Sequence, residues 1–599
     1  MNIKKYASWV FYFTIPFLVI ISIETIKQEG IQSALQWGVD RPVHFFITYF
    51  IILCSQSILF FFTKNVYIVC LSSAMFMVFW VIVDNEKLKM LNEPVLPWDL
   101  FFIKQLVNLF PVIYKQLNIF VVLGVLIVYI LFVYVLAKKT EGSSLPLKGR
   151  LIVATLSIII IIFIGNFKDN FVGQIFNKHT IHVIEWDQKI NQSTNGLVLG
   201  FILNMPSVLI DKPNNYNSTE VGKIVQQYEE KQIQQSVTMQ KPNIIVIMSE
   251  AFWDIGHLDE TLAQEKYIPN AHNLQVGTIA SPQFGGGTAN VEFEVLTGLS
   301  MNLLPAGSIA YQQYVKRETP SLASILSAEG YRSIAIHTYF KWFWDRENVY
   351  KHMGFDHFTS VTEMPDAQNK GFYVADNEIT KEIIKEVEGN EEPVFIYAVT
   401  MQNHGSYYDH RYEDTTLQVS GDYSEETTTM LNTYVTGLVD ADNELGSLVN
   451  YLIDLNEPTI VVFFGDHLPL LGEEYKVYTE TGYLHSSIDW SLQDTLKMKE
   501  TPLIMWNNIG KENRKLGAIS TSFLGGEILE MAGLQKPALF EFTHQFSKQL
   551  PVYTATVKKT REGQLSQETP ESLLPLEEQY QILQYDILFG KRYIESATN

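Results

Sequence analysis

The segment 459–469, TIVVFFGDHLP, carries two adjacent side chains suited to binding a cation. It places Asp466 and His467 after an apolar run, and a carboxylate beside an imidazole suits a divalent ion. Glu250 follows the similar run 243–249 and supplies a second carboxylate. Two structural alternatives stay open, because a buried aspartate often caps a helix and a glutamate is favoured at a helix N-terminus.

A glycine-rich stretch, 284–299 or FGGGTANVEFEVLTGL, leads into a threonine and then an amphipathic helix. Glycines let the backbone approach an anion closely, and a helix N-terminus offers unpaired N–H groups to phosphate. Coordination to a cation would lower the pKa of the Thr288 hydroxyl and make it a nucleophile. The alternative is that Thr288 is a helix N-cap and nothing more. No Gly-Lys-Ser/Thr follows, so the spacing does not resemble a Walker P-loop.

Four short apolar runs, 243–248, 333–337, 394–399 and 459–464, alternate with amphipathic helical stretches and predict buried parallel strands. This alternation of predicted strands and helices predicts an α/β fold with a mainly parallel sheet covered by helices. Such sheets bind ligands at the carboxyl ends of their strands. The predicted strands are followed by residues able to do chemistry, in chain order Glu250; His337, Trp344 and Arg346; Asn403 and His404; Asp466 and His467.

The first third of the chain predicts a membrane region. Segments near 7–24, 43–63, 66–83, 118–137 and 151–167 are apolar and approach the roughly 20 residues that a transmembrane helix needs. The basic residues between them fall on one side, which the positive-inside rule makes cytoplasmic. These are Lys4, Lys5, Lys64, Lys138, Lys139, Lys148 and Arg150. Five spans then leave everything after residue 167 outside the cell.

Four regions are therefore expected. Residues 1–167 form the five-span region, and the polar residues 168–240 form a helical linker. Residues 241–550 form the extracellular α/β domain, and 551–599 form a tail whose helix docks on that domain.

The formal charge of -21, from 44 basic and 65 acidic residues, argues against nucleic acid as a partner. The two cysteines, both before residue 71, provide neither a disulfide framework nor a thiolate metal site.

At these residues the sequence resembles the lipoteichoic acid synthase and phosphoglycerol transferase family of Gram-positive bacteria, within the alkaline phosphatase and sulfatase superfamily. The likeness covers most of the chain. Besides the five spans and the glycine-rich threonine loop, it rests on 242-PNIIVIMSEAFWD-254, 342-WFWDRENVYKHMGF-355, 401-MQNH-404 and 464-FGDH-467.

The resemblance implies a sulfatase-like domain with one bound divalent cation, commonly Mn²⁺, with Mg²⁺ and Zn²⁺ as alternatives. Its implied ligands are Glu250, Thr288, Asp466 and His467, with Thr288 also the nucleophile. It further implies a substrate pocket lined by Trp344, Arg346 and His404, in which His404 moves protons. Two alternatives remain, a core position for Trp344 and a surface carboxylate as the partner of Arg346. His337 is expected to lie behind the substrate-contacting residues.

The implied activity is a cell-membrane transferase that moves glycerol phosphate from phosphatidylglycerol, through phosphothreonine, to a glycolipid or growing lipoteichoic acid chain. Phosphoethanolamine transfer, or another phospholipid-dependent modification of a polymer, is an alternative, although phosphoethanolamine transferases usually carry disulfides in this domain. A non-catalytic binding or regulatory protein is a further alternative. Ester sulfate hydrolysis is disfavoured because the outer domain has no cysteine. Leu468–Leu471 depart from the family's Tyr-Gly sequence after Gly-Asp-His, which puts the acceptor or head group in doubt.

Overall fold

The computed structural model divides the chain into two compact units. The first contains Met1–Ile210 with Pro305–Gly307, and the second contains Asp211–Leu304 with Ser308–Asn599. The structure describes residues 3–597 except 92–93, 103–128, 136–137, 139–144, 168–169, 180, 182–187, 209, 230–240, 409, 413–416, 488 and 513.

The first unit is helical. Its helices are α1 (Ile3–Lys27), α2 (Ile31–Asp40), α3 (Pro42–Ile58), α4 (Val66–Leu91), α5 (Leu147–Gly165), α6 (Phe171–Lys178), α7 (Gln188–Asn195) and α8 (Leu197–Leu203). Among the described residues, four helical segments are long and apolar enough to cross a membrane, namely Tyr6–Lys27, Pro42–Phe61, Val66–Leu88 and Leu147–Gly165. An N-terminal apolar helical region is thus confirmed. Most of the predicted span 118–137 lies outside the described residues, so five crossings stay a prediction.

The second unit is built on a mixed, mainly parallel sheet. Its strands are β1 (Asn243–Ser249), β2 (Gln275–Ala280), β3 (Arg332–His337), β4 (His357–Ser360), β5 (Asn369–Lys370), β6 (Tyr373–Val374), β7 (Val394–Val399), β8 (Thr459–Gly465), β9 (Glu500–Asn507), β10 (Gly517–Ser520), β11 (Val552–Tyr553), β12 (Lys558–Lys559) and β13 (Leu565–Ser566). The eight-stranded sheet has the order β10-β2-β9-β8-β1-β7-β3-β4. Its strand pairs are parallel except those of β9 with β2 and β8. The predicted sheet type is confirmed.

Helices surround this sheet. They are α9 (Ser218–Glu229), α10 (Glu260–Glu265), α11 (Pro269–Leu274), α12 (Thr288–Thr297), α13 (Ala310–Gln313), α14 (Leu322–Ala328), α15 (Arg346–His352), α16 (Asp376–Glu388), α17 (Glu425–Leu455), α18 (Lys476–Glu480), α19 (Leu492–Lys497), α20 (Thr521–Ala532), α21 (Ala538–Ser547), α22 (Leu574–Leu588) and α23 (Tyr593–Ala597). Buried side chains of α22, among them Tyr580 and Leu583, join the same core as β1 and α12.

Strand β1 is buried on both faces, which explains its unbroken apolar sequence. Ile244, Val246 and Met248 face one hydrophobic cluster, to which α12, α20 and α22 contribute. Ile245 and Ile247 face a second cluster, to which α16 and α17 contribute. The sheet is therefore covered by helices on both sides.

The register of the central strands brings their carboxyl ends to one edge. Ser249 pairs with Gly465, and Met248 pairs with Val399. Val399 in turn pairs with His337 at the end of β3. The residues that follow β8, β1, β7 and β3 therefore emerge side by side, as parallel neighbours require.

Candidate active site

Three acidic or imidazole side chains meet at this edge. Glu250, Asp466 and His467 are buried, and each offers a ligand atom within 4.8 Å of the other two. Glu250 lies in a turn and Asp466 in a bend. Neither residue therefore caps or begins a helix, and both structural alternatives raised by the sequence are wrong.

Backbone contacts fix the Asp466 carboxylate. Its Oδ1 accepts hydrogen bonds from the backbone N–H of Ala251 at 2.8 Å and of His467 at 2.9 Å. The two loops approach so closely that a Cβ on Gly465 would lie 2.0 Å from the carbonyl oxygen of Phe252. Glycine is thus required before Asp466, and Oδ2 is left to face the other two side chains.

The ligand atoms of Glu250, Asp466 and His467 that make no hydrogen bond with a described residue fit a cation. His467 Nδ1 lies 3.0 Å from the carbonyl oxygen of Leu468, which can only accept, so Nδ1 carries a proton and donates it. Nε2 of neutral His467 then has a lone pair, 3.3 Å from Asp466 Oδ2. That nitrogen, Asp466 Oδ2 and Glu250 Oε2 are buried and have no hydrogen-bond partner among the described residues. Buried acceptors that face one another without a donor are costly unless a positive ion joins them. Two carboxylates and an imidazole suit Mn²⁺, Mg²⁺ or Zn²⁺.

The affinity of this site for a divalent cation such as Mn²⁺ is expected to rise with pH. Burial, and next the charge of Asp466, raise the pKa of Glu250 to about 8. Below that pH a binding cation must displace the proton, so the apparent affinity should rise up to about tenfold per pH unit and level off above about pH 8. Calorimetric Mn²⁺ titrations from acidic to weakly alkaline pH measure this slope. Glu250→Gln should flatten it, and a wild-type affinity independent of pH would contradict the assignment.

The glycine-rich loop adjoins this cluster. Gly287 is the N-cap of α12 with φ +84°, and Thr288 is the first helical residue. The N-terminus has no side-chain cap, so the N-cap interpretation of Thr288 is wrong. The backbone N–H of Gly285 donates to the carbonyl oxygen of Leu468 at 3.1 Å. This bond ties the threonine loop to the residue directly after His467.

Arg346 is held by a buried carboxylate rather than a surface one. Its Nη2 lies 2.5 Å from Glu292 Oε1, and both side chains are at most 1% exposed. Nε adds a 3.1 Å bond to the same oxygen, and the Tyr350 hydroxyl donates to Oε2 at 2.5 Å. Glu292 lies one turn beyond Thr288 on α12, so the pair couples Arg346 to the helix of the threonine. Sequence reasoning missed Glu292, although an acid within an apolar helix was a usable signal.

Comparisons with known proteins place this chain in a family. The family model described as Sulfatase matches residues 242–534. A candidate cyclic beta-1,2-glucan modification protein of Rhizobium meliloti (strain 1021) is 35% identical over 523 residues, covering 85% of this chain and 81% of that protein. The lipoteichoic acid synthase of Staphylococcus saprophyticus is 26% identical over 270 residues, covering 42% of this chain and 40% of that protein. The chain belongs to the lipoteichoic acid synthase-like family of the alkaline phosphatase and sulfatase superfamily.

A solved structure shows the shared fold. The phosphoglycerol transferase GacH of Streptococcus pyogenes, in complex with sn-glycerol-1-phosphate, superposes with a TM-score of 0.52 at 22% identity. The match covers 65% of this chain and 98% of that chain. The second unit is thus sulfatase-like in fold.

Two further histidines border the site of this lipoteichoic acid synthase-like chain. His404 Nδ1 lies 2.8 Å from the carbonyl oxygen of Gly405, so Nε2 of the neutral ring carries the lone pair. Burial lowers the pKa of His404, and the charge of Asp466 partly opposes this. His337 Nδ1 lies 3.1 Å from the carbonyl oxygen of Val399, and burial lowers its pKa further. Its Nε2 is buried without a partner among the described residues, so His337 offers a free acceptor.

The remaining polar and aromatic groups at this edge differ in how they are held. Trp344 has φ +58° and is half-buried against the first core cluster. Asp345 follows with φ +63°, so two left-handed residues turn the chain into α15.

The Asn403 amide is buried, and neither of its polar atoms has a partner among the described residues. Asn403 is thus a polar group whose role the sequence left unassigned.

Proposed function

We propose that this chain is a membrane-anchored transferase that moves glycerol phosphate from phosphatidylglycerol, through phosphothreonine at Thr288, to a hydroxyl of a glycolipid or growing glycerol-phosphate chain. The observation that carries the proposal is the set of three facing ligand atoms that have no hydrogen-bond partner among the described residues. The loop before Thr288 is tied to this cluster by the hydrogen bond from the Gly285 N–H to the Leu468 carbonyl oxygen. Support comes from the lipoteichoic acid synthase relative and from GacH, whose complex holds sn-glycerol-1-phosphate.

The proposed ligands of one divalent cation, Mn²⁺ by preference, are Glu250, Thr288, Asp466 and His467. When bound, such an ion would neutralise phosphate charge and lower the pKa of the threonine hydroxyl. Arg346 Nη1 donates to the carbonyl oxygen of Phe343 at 3.4 Å rather than to Glu292, and it would exchange this long bond for one to a non-bridging phosphate oxygen. Trp344 would pack against the glycerol.

His404 is proposed to carry the protons. Because burial lowers its pKa, the resting ring is neutral and can take the proton of Thr288 as its oxygen attacks phosphorus. The bond from phosphorus to the diacylglycerol oxygen breaks, and that oxygen takes the proton from His404. An acceptor hydroxyl then gives its proton to His404 and attacks the phosphothreonine. Thr288 leaves and regains the proton, which completes a ping-pong cycle.

The proposed setting is the outer face of a cell membrane, with residues 1–167 as the anchor and 168–240 as the linker. Residues 241–550 would be the catalytic domain and 551–599 its tail. The Rhizobium relative favours an alternative acceptor, a cyclic glucan, because that relative is described as a protein that modifies such a glucan. Leu468–Leu471 depart from the family's Tyr-Gly sequence, where a change of acceptor or head group is expected to show.

Mass spectrometry of Thr288 tests the donor. The full-length protein is incubated with Mn²⁺ and either phosphatidylglycerol or phosphatidylethanolamine. The mass of the peptide that contains Thr288 is then measured. A glycerol-phosphate adduct with the first lipid, lost on chelation, is expected. An ethanolamine-phosphate adduct, or no adduct with either lipid, would contradict the proposal. Adding a cyclic glucan or a glycolipid to the labelled protein then shows which acceptor discharges it.

A further inference from the structure

The first unit contains a polar cavity beside α2. Its volume is ≈ 570 Å³, which lies within the range of about 300–1,000 Å³ typical of ligand sites. Its lining comes from α2 and from the residues just before and after it, together with Ser193 and Thr194 at the end of α7. Every lining side chain except Trp37 is polar or charged.

Helix α2 has two distinct stripes. Side chains four residues apart share one face of a helix. Ile31, Leu35 and Val39 form an apolar stripe that is 62%, 49% and 73% exposed. Gln32, Gln36 and Asp40 form the neighbouring stripe, and all three line the cavity. A short helix with an exposed apolar stripe beside a polar one suits the membrane–water interface.

The cavity is bounded by hydrogen bonds to α7. Trp37 is buried, and its Nε1 donates to the carbonyl oxygen of Thr194 at 3.2 Å. Gln28 Nε2 donates to the carbonyl oxygen of Ser193 at 3.3 Å. Gln28 directly follows the candidate span Tyr6–Lys27, so the cavity lies at the end of that span.

The lining chemistry indicates the class of ligand. Amide and hydroxyl side chains both donate and accept hydrogen bonds, as the hydroxyls of a sugar or glycerol do. A phosphate group only accepts, and it is usually bound by several cations. Among the lining residues that the structure describes, Arg41 is the one cation, and Asp40 precedes it. The cavity therefore suits a neutral, hydroxyl-rich group at the depth of lipid head groups.

We propose that this cavity binds the neutral sugar head group of a glycolipid, with the lipid chains beside the apolar stripe of α2. The role of that glycolipid as acceptor rests on the proposed transferase function, whereas its binding does not. Gln32 and Gln36 would contact the sugar hydroxyls, and the buried Trp37 would support the cavity from below.

Binding is tested with the full-length protein in phosphatidylcholine nanodiscs. The probes are a neutral glycosyl diacylglycerol, its free disaccharide and phosphatidylglycerol. We expect the glycolipid to bind most tightly, and Gln32→Leu with Gln36→Leu to weaken it about tenfold or more, because two hydrogen-bonding amides are lost. Both glutamines are exposed, so the fold should tolerate these changes. Gln174→Leu, an exposed glutamine on α6 outside the lining, is the matched control and should bind as the wild type does.

Unchanged glycolipid binding in the double variant would overturn the proposal, as would tighter binding of phosphatidylglycerol. Binding of the free disaccharide as tight as that of the glycolipid would overturn the lipid-linked source. Thr288→Ala should keep full glycolipid binding. If no phosphothreonine forms but binding still depends on Gln32 and Gln36, the transferase proposal fails and this site stands.

Discussion

A Thr288→Ala variant is expected to lose transfer activity by at least about three orders of magnitude, because removal of an attacking nucleophile leaves little residual catalysis. The side chain is largely buried but does not cap α12, so the fold should persist. Release of diacylglycerol from fluorescent phosphatidylglycerol in the presence of Mn²⁺ measures the rate.

Two companion variants separate chemistry from structure. Thr288→Ser keeps a hydroxyl and should retain measurable turnover and a covalent adduct. Thr429→Ala removes a threonine of α17 whose hydroxyl bonds to the carbonyl oxygen of Glu425, and it should leave the rate unchanged. A Thr288→Ala protein that retains a tenth or more of the wild-type rate would exclude threonine as the nucleophile.

A Glu292→Ala variant is expected to lower the free energy of unfolding by about 3–5 kcal/mol, because it leaves the buried Arg346 charge without its carboxylate. The two side chains are at most 1% exposed, so water cannot replace the lost partner without opening the core. Tyr350 also loses the acceptor of its hydroxyl. Chemical denaturation of the full-length protein, followed by tryptophan fluorescence, measures the change.

The matched control is an exposed ion pair. Glu220 and Lys223 lie 3.1 Å apart on α9 with side chains 35% and 67% exposed, so Glu220→Ala should cost less than about 1 kcal/mol. A Glu292→Ala protein as stable as this control would mean that the Arg346 pair does not hold α12 against α15. Arg346 would then be free to act on substrate alone.

The central strands could be predicted because burial on both faces leaves an unbroken apolar sequence, as in β1 and β8. Outer strands do not carry this pattern. Strand β2 contains Gly277, where a Cβ would lie 2.2 Å from the carbonyl oxygen of Gly517 on β10. Strand β9 contains Pro502, a residue that argues against a strand in sequence. Both were therefore missed, as were β4 and β10 at the two edges of the sheet.

The candidate site, like the sheet, could be predicted only in part from the sequence. Strand ends could be predicted to converge, and Glu250, Asp466 and His467 do lie together. The pairing of Arg346 with Glu292 could not be predicted, because the two residues are 54 positions apart and meet only when α12 packs against α15. The free acceptors of His337 and Asn403 likewise depend on tertiary contacts that no local pattern encodes.

The most direct measurement is anomalous diffraction at the manganese edge from crystals of this protein grown with Mn²⁺. From the metal-site assignment we expect a peak bounded by Glu250, Asp466 and His467, with the Thr288 oxygen as a further ligand. A metal bound elsewhere, with these three side chains still facing one another and no ion between them, would contradict it.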